Sequence, residues 1–252
     1  MTFTHPVLLQ YRDNVNVTVK PCDSPHILRN SHGRSEVKNI VLAAATAFAV
    51  VMGTNAVVAQ KPASATAPAT SIATFAGGCF WCIESDFDKV PGVIATVSGY
   101  TGGKTDNPTY RQVSRGDTGH REALQITYDP KKVSYAQLLT VFWHSVDPVD
   151  SGGQFCDRGV PYETAVFVHN EKQRNLADAS KAQAMKDLGQ KIFTPIETAA
   201  KFYKAEEYHQ DYHNKKPLRY KYYRWNCGRN QKVEKLWGDK AYQGIPMKGK
   251  SS

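Results

Sequence analysis

The chain has 252 residues, 41% of them apolar and 22% charged, with a formal net charge of +9. That size sustains one ordinary globular domain, or at most two, with a core of useful size in either case. Aromatic content of 11% excludes a broadly disordered chain, Gly 18 and Pro 13 exclude a collagen-like or low-complexity one, and five cysteines are too few and too scattered for a small disulfide-stapled scaffold.

Residues 1–36 are polar and unpatterned, which fits a disordered leader or a mis-assigned extension ahead of a start near Val37. Arg34 and Lys38 then precede an uncharged stretch from Asn39 to Gln60, which closes on Val57, Val58 and Ala59. A basic start, an apolar middle and small residues at a cut make 37–59 a secretory signal. An uncleaved anchor is the alternative, but the apolar core from Ile40 to Met52 is shorter than the roughly 20 residues a spanning helix needs. The expectation is export to a bacterial periplasm, with no stable membrane association after cleavage. Residues 60–71 are an Ala/Pro/Ser/Thr linker, 72–240 the folded domain and 241–252 a tail.

Within the folded part, Ile72–Ala76 reads as a short strand stopped by Gly77-Gly78, and Phe80–Lys89 as a helix broken by Pro91-Gly92. Val93–Gly99 and Arg121–Tyr128 alternate as strands. Ser134 caps a helix through about Ser145, with Leu138, Leu139, Phe142 and Val146 on one stripe. Thr164–Val168 is a buried-type strand, followed by a polar helix from about Lys172 to Leu188. Short strands near Phe193–Ala199 and helical segments near Ala205–His213 and Gln231–Leu236 complete the chain. Strands mixed irregularly with helices favour α+β over a doubly wound parallel sheet.

The sharpest chemical feature is GGCFWC, Gly77 to Cys82. A strand stops, two glycines turn the backbone, and Cys79 arrives at a helix start, where unpaired amides favour a thiolate. The bland alternative is a small buried apolar residue. Cys79 and Cys82 also form a C-x-x-C pair, which suits a thiol–disulfide oxidoreductase. A zinc site would need a second ligand pair, and Gln210 stands between His209 and His213 where a metalloprotease helix carries Glu, so no metal is expected and the two histidines read as a helix surface pair. The run Lys215–Cys227 interleaves basic and aromatic residues like a nucleic-acid or anionic-surface strip, but an exported protein rarely meets nucleic acid, and a half-buried edge segment fits equally. A cationic envelope-binding protein is the non-enzyme alternative.

From Ile72 to Trp237 the chain resembles the peptide methionine sulfoxide reductases of the A type. GCFW opens that family's site, and GYTGG (Gly99–Gly103), NPTY (Asn107–Tyr110), TGHREA (Thr118–Ala123), FWHSVDP (Phe142–Pro148), GGQFCDRG (Gly152–Gly159) and YHQDY (Tyr208–Tyr212) follow in family order. The resemblance implies a two-layer α+β sandwich around a mixed sheet (a ferredoxin-like plait), reduction of methionine S-sulfoxide in free or protein form, and a monomer. It implies that Cys79 is the nucleophile, that Phe80 and Trp81 cradle the substrate methyl, that Tyr110 and Tyr162 hold the sulfoxide oxygen, that Glu122 protonates it and that Asp157 orders the site. The chemistry agrees: a sulfoxide sulfur is electrophilic only when its oxygen is protonated or strongly hydrogen-bonded. No bound cofactor is implied; an external thioredoxin-like reductant, or dithiothreitol in vitro, would reduce the disulfide that follows the sulfenic acid.

Three features depart from the family pattern. Cys82 stands where most members have glycine, Tyr162 lies between Pro161 and Glu163, and Cys227 has a tail beyond it. For the resolving thiol, family usage and its glycine-flanked, polar neighbourhood favour Cys227, swinging in on a mobile loop, with Cys82 as a relay. Cys156 is expected only to pack.

Overall fold

The computed structural model describes residues 69–246. The leader, the signal and nearly all of the linker therefore lie outside the described residues, as do residues 247–252 of the tail. In chain order the elements are β1 (Ser71–Ala76), α1 (Phe80–Phe87), β2 (Val93–Thr101), α2 (Tyr110–Val113), β3 (Arg121–Tyr128), α3 (Tyr135–Trp143), β4 (Gly153–Gln154) and β5 (Asp157–Arg158). A 3₁₀ turn at Val160–Tyr162 leads to β6 (Ala165–Val168), α4 (Glu171–Leu188), β7 (Ile196–Thr198), β8 (Tyr203–Lys204), α5 (Tyr212–Lys215), α6 (Pro217–Asn226) and α7 (Arg229–Trp237).

Six strands form one mixed sheet in the order β7-β6-β1-β3-β2-β8, parallel only between β6 and β7. The fold is α+β, as the irregular element order implied. Alternation places Phe75, Leu124, Ile126 and Val166 on one face, where they join Ile83 and Phe87 of α1, Leu138 and Phe142 of α3 and Ala177 of α4 in the main core. The other face carries a small cluster, Ala76, Ala123, Ala165 and Phe167, packed on Ala199 and Phe202. Helices are set by their caps. Ser134 and Gln137 close a reciprocal capping box on α3, Thr109 and Gln112 do the same on α2, and Asn170 caps α4, each worth about 1 kcal/mol.

The folded domain does not stop at 240: Ala241, Tyr242 and Ile245 are buried in the main core. Lys215–Cys227 is not an edge strand, and Lys215, Arg219, Lys221, Tyr222 and Trp225 are exposed along it. Most of it is α6, with Pro217 at its first turn and Tyr220 buried. Among the described residues, no helix is long and apolar enough to cross a membrane.

Candidate active site

The site is built where β1 hands over to α1. Gly78 has φ +79°, and a Cβ there would sit 2.5 Å from Cβ of Gln154; one on Gly77 would meet Ile83 at 2.4 Å. Only glycine accommodates both that turn and that close approach. Gln154 is itself fixed: its Oε1 accepts from Asp147 N at 2.9 Å, and its Nε2 donates to Asp147 O at 2.7 Å. The VDP and GGQ motifs are thereby locked together under the turn. From the other side Arg229, buried at the start of α7, donates to Gly77 O at 3.1 Å and to Ser145 O at 2.9 Å.

Cys79 is the N-cap of α1, and its carbonyl accepts from Cys82 N at 3.0 Å. The two sulfurs thus share one face of the first turn, and they are not joined in a disulfide. A hydrogen bond to Cys79 and deep burial push the Cys82 thiol well up, so Cys82 keeps its proton and offers it to the Cys79 sulfur. A helix N-terminus and an S–H donor both favour negative charge on that sulfur.

Glu122 lies on β3 opposite Tyr100 of β2. Its Oε2 accepts from Phe80 N at 2.9 Å, while Oε1 is buried with no hydrogen-bond partner. Burial first, then the charge of Asp157, hold this carboxyl well above the usual carboxylate range despite the Phe80 amide. Alternation on β3 could not decide which way Glu122 faces; it faces inward, at 1% exposure.

Phe80, Trp81, Cys82, Tyr100, Tyr110, Tyr212 and Tyr220 surround Cys79 in an apolar cluster of their own. Trp81 stacks on Tyr212 with ring centres 3.7 Å apart, and its Nε1–H donates to His209 Nδ1 at 3.1 Å. Tyr110 opens α2, with its amide on Glu206 Oε1 at 2.8 Å; Tyr100 donates its hydroxyl to the other oxygen of Glu206. Tyr162 is buried in the 3₁₀ turn that packs against β3 and β4. Asp157 pairs with Gln154 in the β4–β5 hairpin and accepts the hydroxyl of Tyr223 from α6. Burial lifts its carboxyl to about 6, against the pull of Tyr223 and Arg229.

Two expectations change. His209 and His213 are not a helix surface pair: His209 sits in a turn, fully buried, its ring 4.4 Å from Tyr110 and 4.9 Å from Phe80. Burial lowers it to about 4, so it is neutral and able to accept the Trp81 N–H. Cys156, expected only to pack, is disulfide-bonded to Cys227. Cys227 is also not on a free loop, because it terminates α6 and Gly228 turns directly into α7.

The sequence reading of single motifs missed Glu206, Tyr223 and Arg229. Their partners lie 66 to 152 residues away, beyond any spacing rule.

Comparison with known proteins identifies the family. The family profile described as peptide methionine sulfoxide reductase matches residues 71–241. The chain belongs to that family. Peptide methionine sulfoxide reductase MsrA 2 of Rhizobium meliloti is 55% identical over 184 residues, covering 73% of this chain and 91% of its own. Among solved structures, reduced Mxr1 of Saccharomyces cerevisiae superposes with a TM-score of 0.55 at 34% identity, over 59% of this chain and 86% of its own. The methionine sulfoxide reductase A of Corynebacterium diphtheriae gives 0.55 at 30%, over 61% and 78%. As a peptide methionine sulfoxide reductase, the chain is an oxidoreductase, and the thiol–disulfide oxidoreductase and envelope-binding alternatives fall away.

Proposed function

We propose that this chain reduces methionine sulfoxide, free or in proteins and as the S epimer, by attack of Cys79 on the sulfoxide sulfur. The observation that carries the mechanism is a carboxyl buried beside the reacting cysteine: Glu122, 1% exposed, accepts from the amide of Phe80, next in sequence to Cys79 at the helix start, and that burial favours its protonated acid form. Glu122 delivers that proton to the sulfoxide oxygen, with the Tyr110 and Tyr162 hydroxyls as further donors, and the sulfur becomes electrophilic as the Cys79 thiolate attacks. Phe80 and Trp81 hold the methyl group against the sulfur. Burial of Cys79 at 1% exposure means that a substrate enters by displacing part of this covering.

The atoms balance in three steps. Cys79–SH and the sulfoxide give Cys79–SOH and methionine. Cys79–SOH and Cys82–SH give a disulfide and water, and an external dithiol of the thioredoxin type returns both thiols. Cys82 takes the first resolving step in this scheme, because its S–H already bonds to Cys79 while Cys227 is held by Cys156. Two electrons from thiols suffice, so no bound cofactor is needed. The biological setting is repair of proteins damaged by oxidative stress, by a monomer exported to the periplasm after cleavage near Ala59.

The test is methionine release from separated S and R sulfoxides with dithiothreitol. Turnover of S alone supports the reading; equal turnover of both epimers, or of neither, ends it. For export, N-terminal sequencing of envelope protein should begin near Gln60, and recovery of the full chain from the cytosol would end that part.

A further inference from the structure

Only one side of α6 serves the reacting site. Tyr220 turns into the cluster around Cys79, Tyr223 meets Trp81 edge-on at 5.7 Å, and Arg224 reaches Asp86. The helical period puts Leu218, Tyr222 and Trp225, at i, i+4 and i+7, on the opposite side. They are 82%, 66% and 67% exposed, the three most exposed large apolar side chains among the described residues. The Tyr222 and Trp225 rings lie together, with centres 6.2 Å apart. Exposed apolar residues scattered singly are ordinary, but three aligned on one short helix make a patch.

The charge around this stripe has one sign. From Tyr212 to Val233 the chain has no Asp or Glu and seven Lys or Arg. Arg224 and Arg229 turn into the protein, whereas Lys215, Lys216, Arg219 and Lys221 are exposed. Lys215 pairs with Glu207 at 3.0 Å; Lys216 and Lys221 make no ion pair among the described residues. Arg219 flanks the stripe on one side of the helix and Lys221 on the other.

We propose that the outer face of α6 docks the domain reversibly on an anionic phospholipid bilayer. Leu218, Tyr222 and Trp225 enter the boundary between headgroups and acyl chains, where tryptophan and tyrosine rings settle, and Lys216, Arg219 and Lys221 meet lipid phosphate. A convex ridge with cations on both flanks suits a partner that is negative everywhere and needs no register. A protein partner held in one orientation calls for charges of both signs, and single-stranded nucleic acid calls for rings set in a groove that tracks its backbone. The reacting cluster lies against the inner face of the same helix, so docking leaves its side chains in place.

Trp225 is the reporter, because Trp81, Trp143 and Trp237 are buried. The full chain is mixed with vesicles whose acyl chains are brominated, made either of equal parts phosphatidylcholine and phosphatidylglycerol or of phosphatidylcholine alone. Bromine quenches a tryptophan that has passed below the headgroups. The apolar stretch Asn39–Gln60 contains no tryptophan, so its own contact with lipid is silent in this readout. Quenching is expected with the anionic vesicles only, falling with added salt and absent in Trp225→Phe. Lys216→Gln/Lys221→Gln should weaken vesicle affinity by roughly 25-fold, the factor that two lysines carry at an anionic surface. Leu218→Ser should weaken it about tenfold through lost apolar burial, and melting curves of both variants should match wild type. Equal quenching with both vesicle types, quenching with neither, or undiminished affinity in the lysine variant would overturn the proposal. Vesicle binding that leaves Trp225 unquenched would also overturn it, as would an oligothymidylate that binds more tightly than the anionic vesicles and makes the face a nucleic-acid surface instead. If Leu218→Ser lowers the melting midpoint, the lysine variant and the salt dependence decide.

Discussion

Replacing Glu122 by Gln separates the proton from everything else the side chain does. The amide keeps the volume and an oxygen to accept the Phe80 N–H, now at 2.9 Å from Oε2. It also offers an N–H near the site of Oε1, so a hydrogen bond to the sulfoxide oxygen survives while proton delivery does not. The loss is therefore the general-acid contribution alone, about 10²–10⁴ in the first-turnover rate, equivalent to about 2.7–5.4 kcal/mol of barrier. Stability should move the other way. Burial raises the folded-state proton affinity of Glu122 above its unfolded value, so its contribution to stability is complete below the unfolded pKa and is lost as pH rises through the folded one. Gln carries no such penalty, so the variant should match wild type in acid and equal or exceed it in thermal midpoint at alkaline pH. The assay is rapid-quench methionine release at pH 7, paired with melting curves across pH. A rate within about twofold of wild type, far below the general-acid range, would refute the assignment. A large fall in midpoint would instead mean that the carboxyl is a structural anchor.

Cys82→Ser, given one equivalent of sulfoxide without reductant, should stall as a sulfenic acid that dimedone traps, whereas Cys227→Ser should still close the Cys79–Cys82 disulfide; the reverse pattern would return the resolving step to Cys227. Arg224→Met leaves Asp86, its buried partner at 3.0 Å, without its guanidinium and should cost about 3–5 kcal/mol, read as a fall of roughly 10 °C in melting midpoint, with Asp86→Leu in the same chain recovering most of it. An unchanged midpoint would show that the pair is dispensable. Gly78→Ala forces a side chain onto φ +79° with its Cβ 2.5 Å from Gln154, and should lose more than about 2 kcal/mol in urea titration; a smaller loss would mean that the turn relaxes freely.

What could be read from the chain follows from the range of each signal. Alternation in Arg121–Tyr128 and the Ser134 cap are local, and β3 and α3 appear where those signals put them. α6 escaped because its inner face is polar. Tyr220 and Arg224, one turn apart, turn inward to Cys82 O and Asp86, so burial there leaves no apolar periodicity to read. The basic-aromatic look of that run is half an internal network and half an exposed face of Leu218, Tyr222 and Trp225. The histidine spacing misled for a related reason: the i, i+4 interval suggests a helix, whereas His209 lies in a turn and α5 begins only at Tyr212. The glycine-cysteine junction was legible because its chemistry is local to six residues. The Cys156–Cys227 bond was not, because its partners are 71 residues apart and neither neighbourhood marks the other.

The central claim is that the Cys79 sulfur takes the oxygen from the substrate while Cys82 waits beside it. The most direct measurement mixes reductant-free protein with excess methionine S-sulfoxide and counts methionine released against thiols lost, with the modified cysteines located by peptide mass. The account predicts one methionine per chain, a Cys79–Cys82 linkage in the product, an unaltered Cys156–Cys227 disulfide, and no methionine from Cys79→Ser. Methionine release by Cys79→Ser, or release from the wild-type chain without loss of the Cys79 thiol, would contradict it.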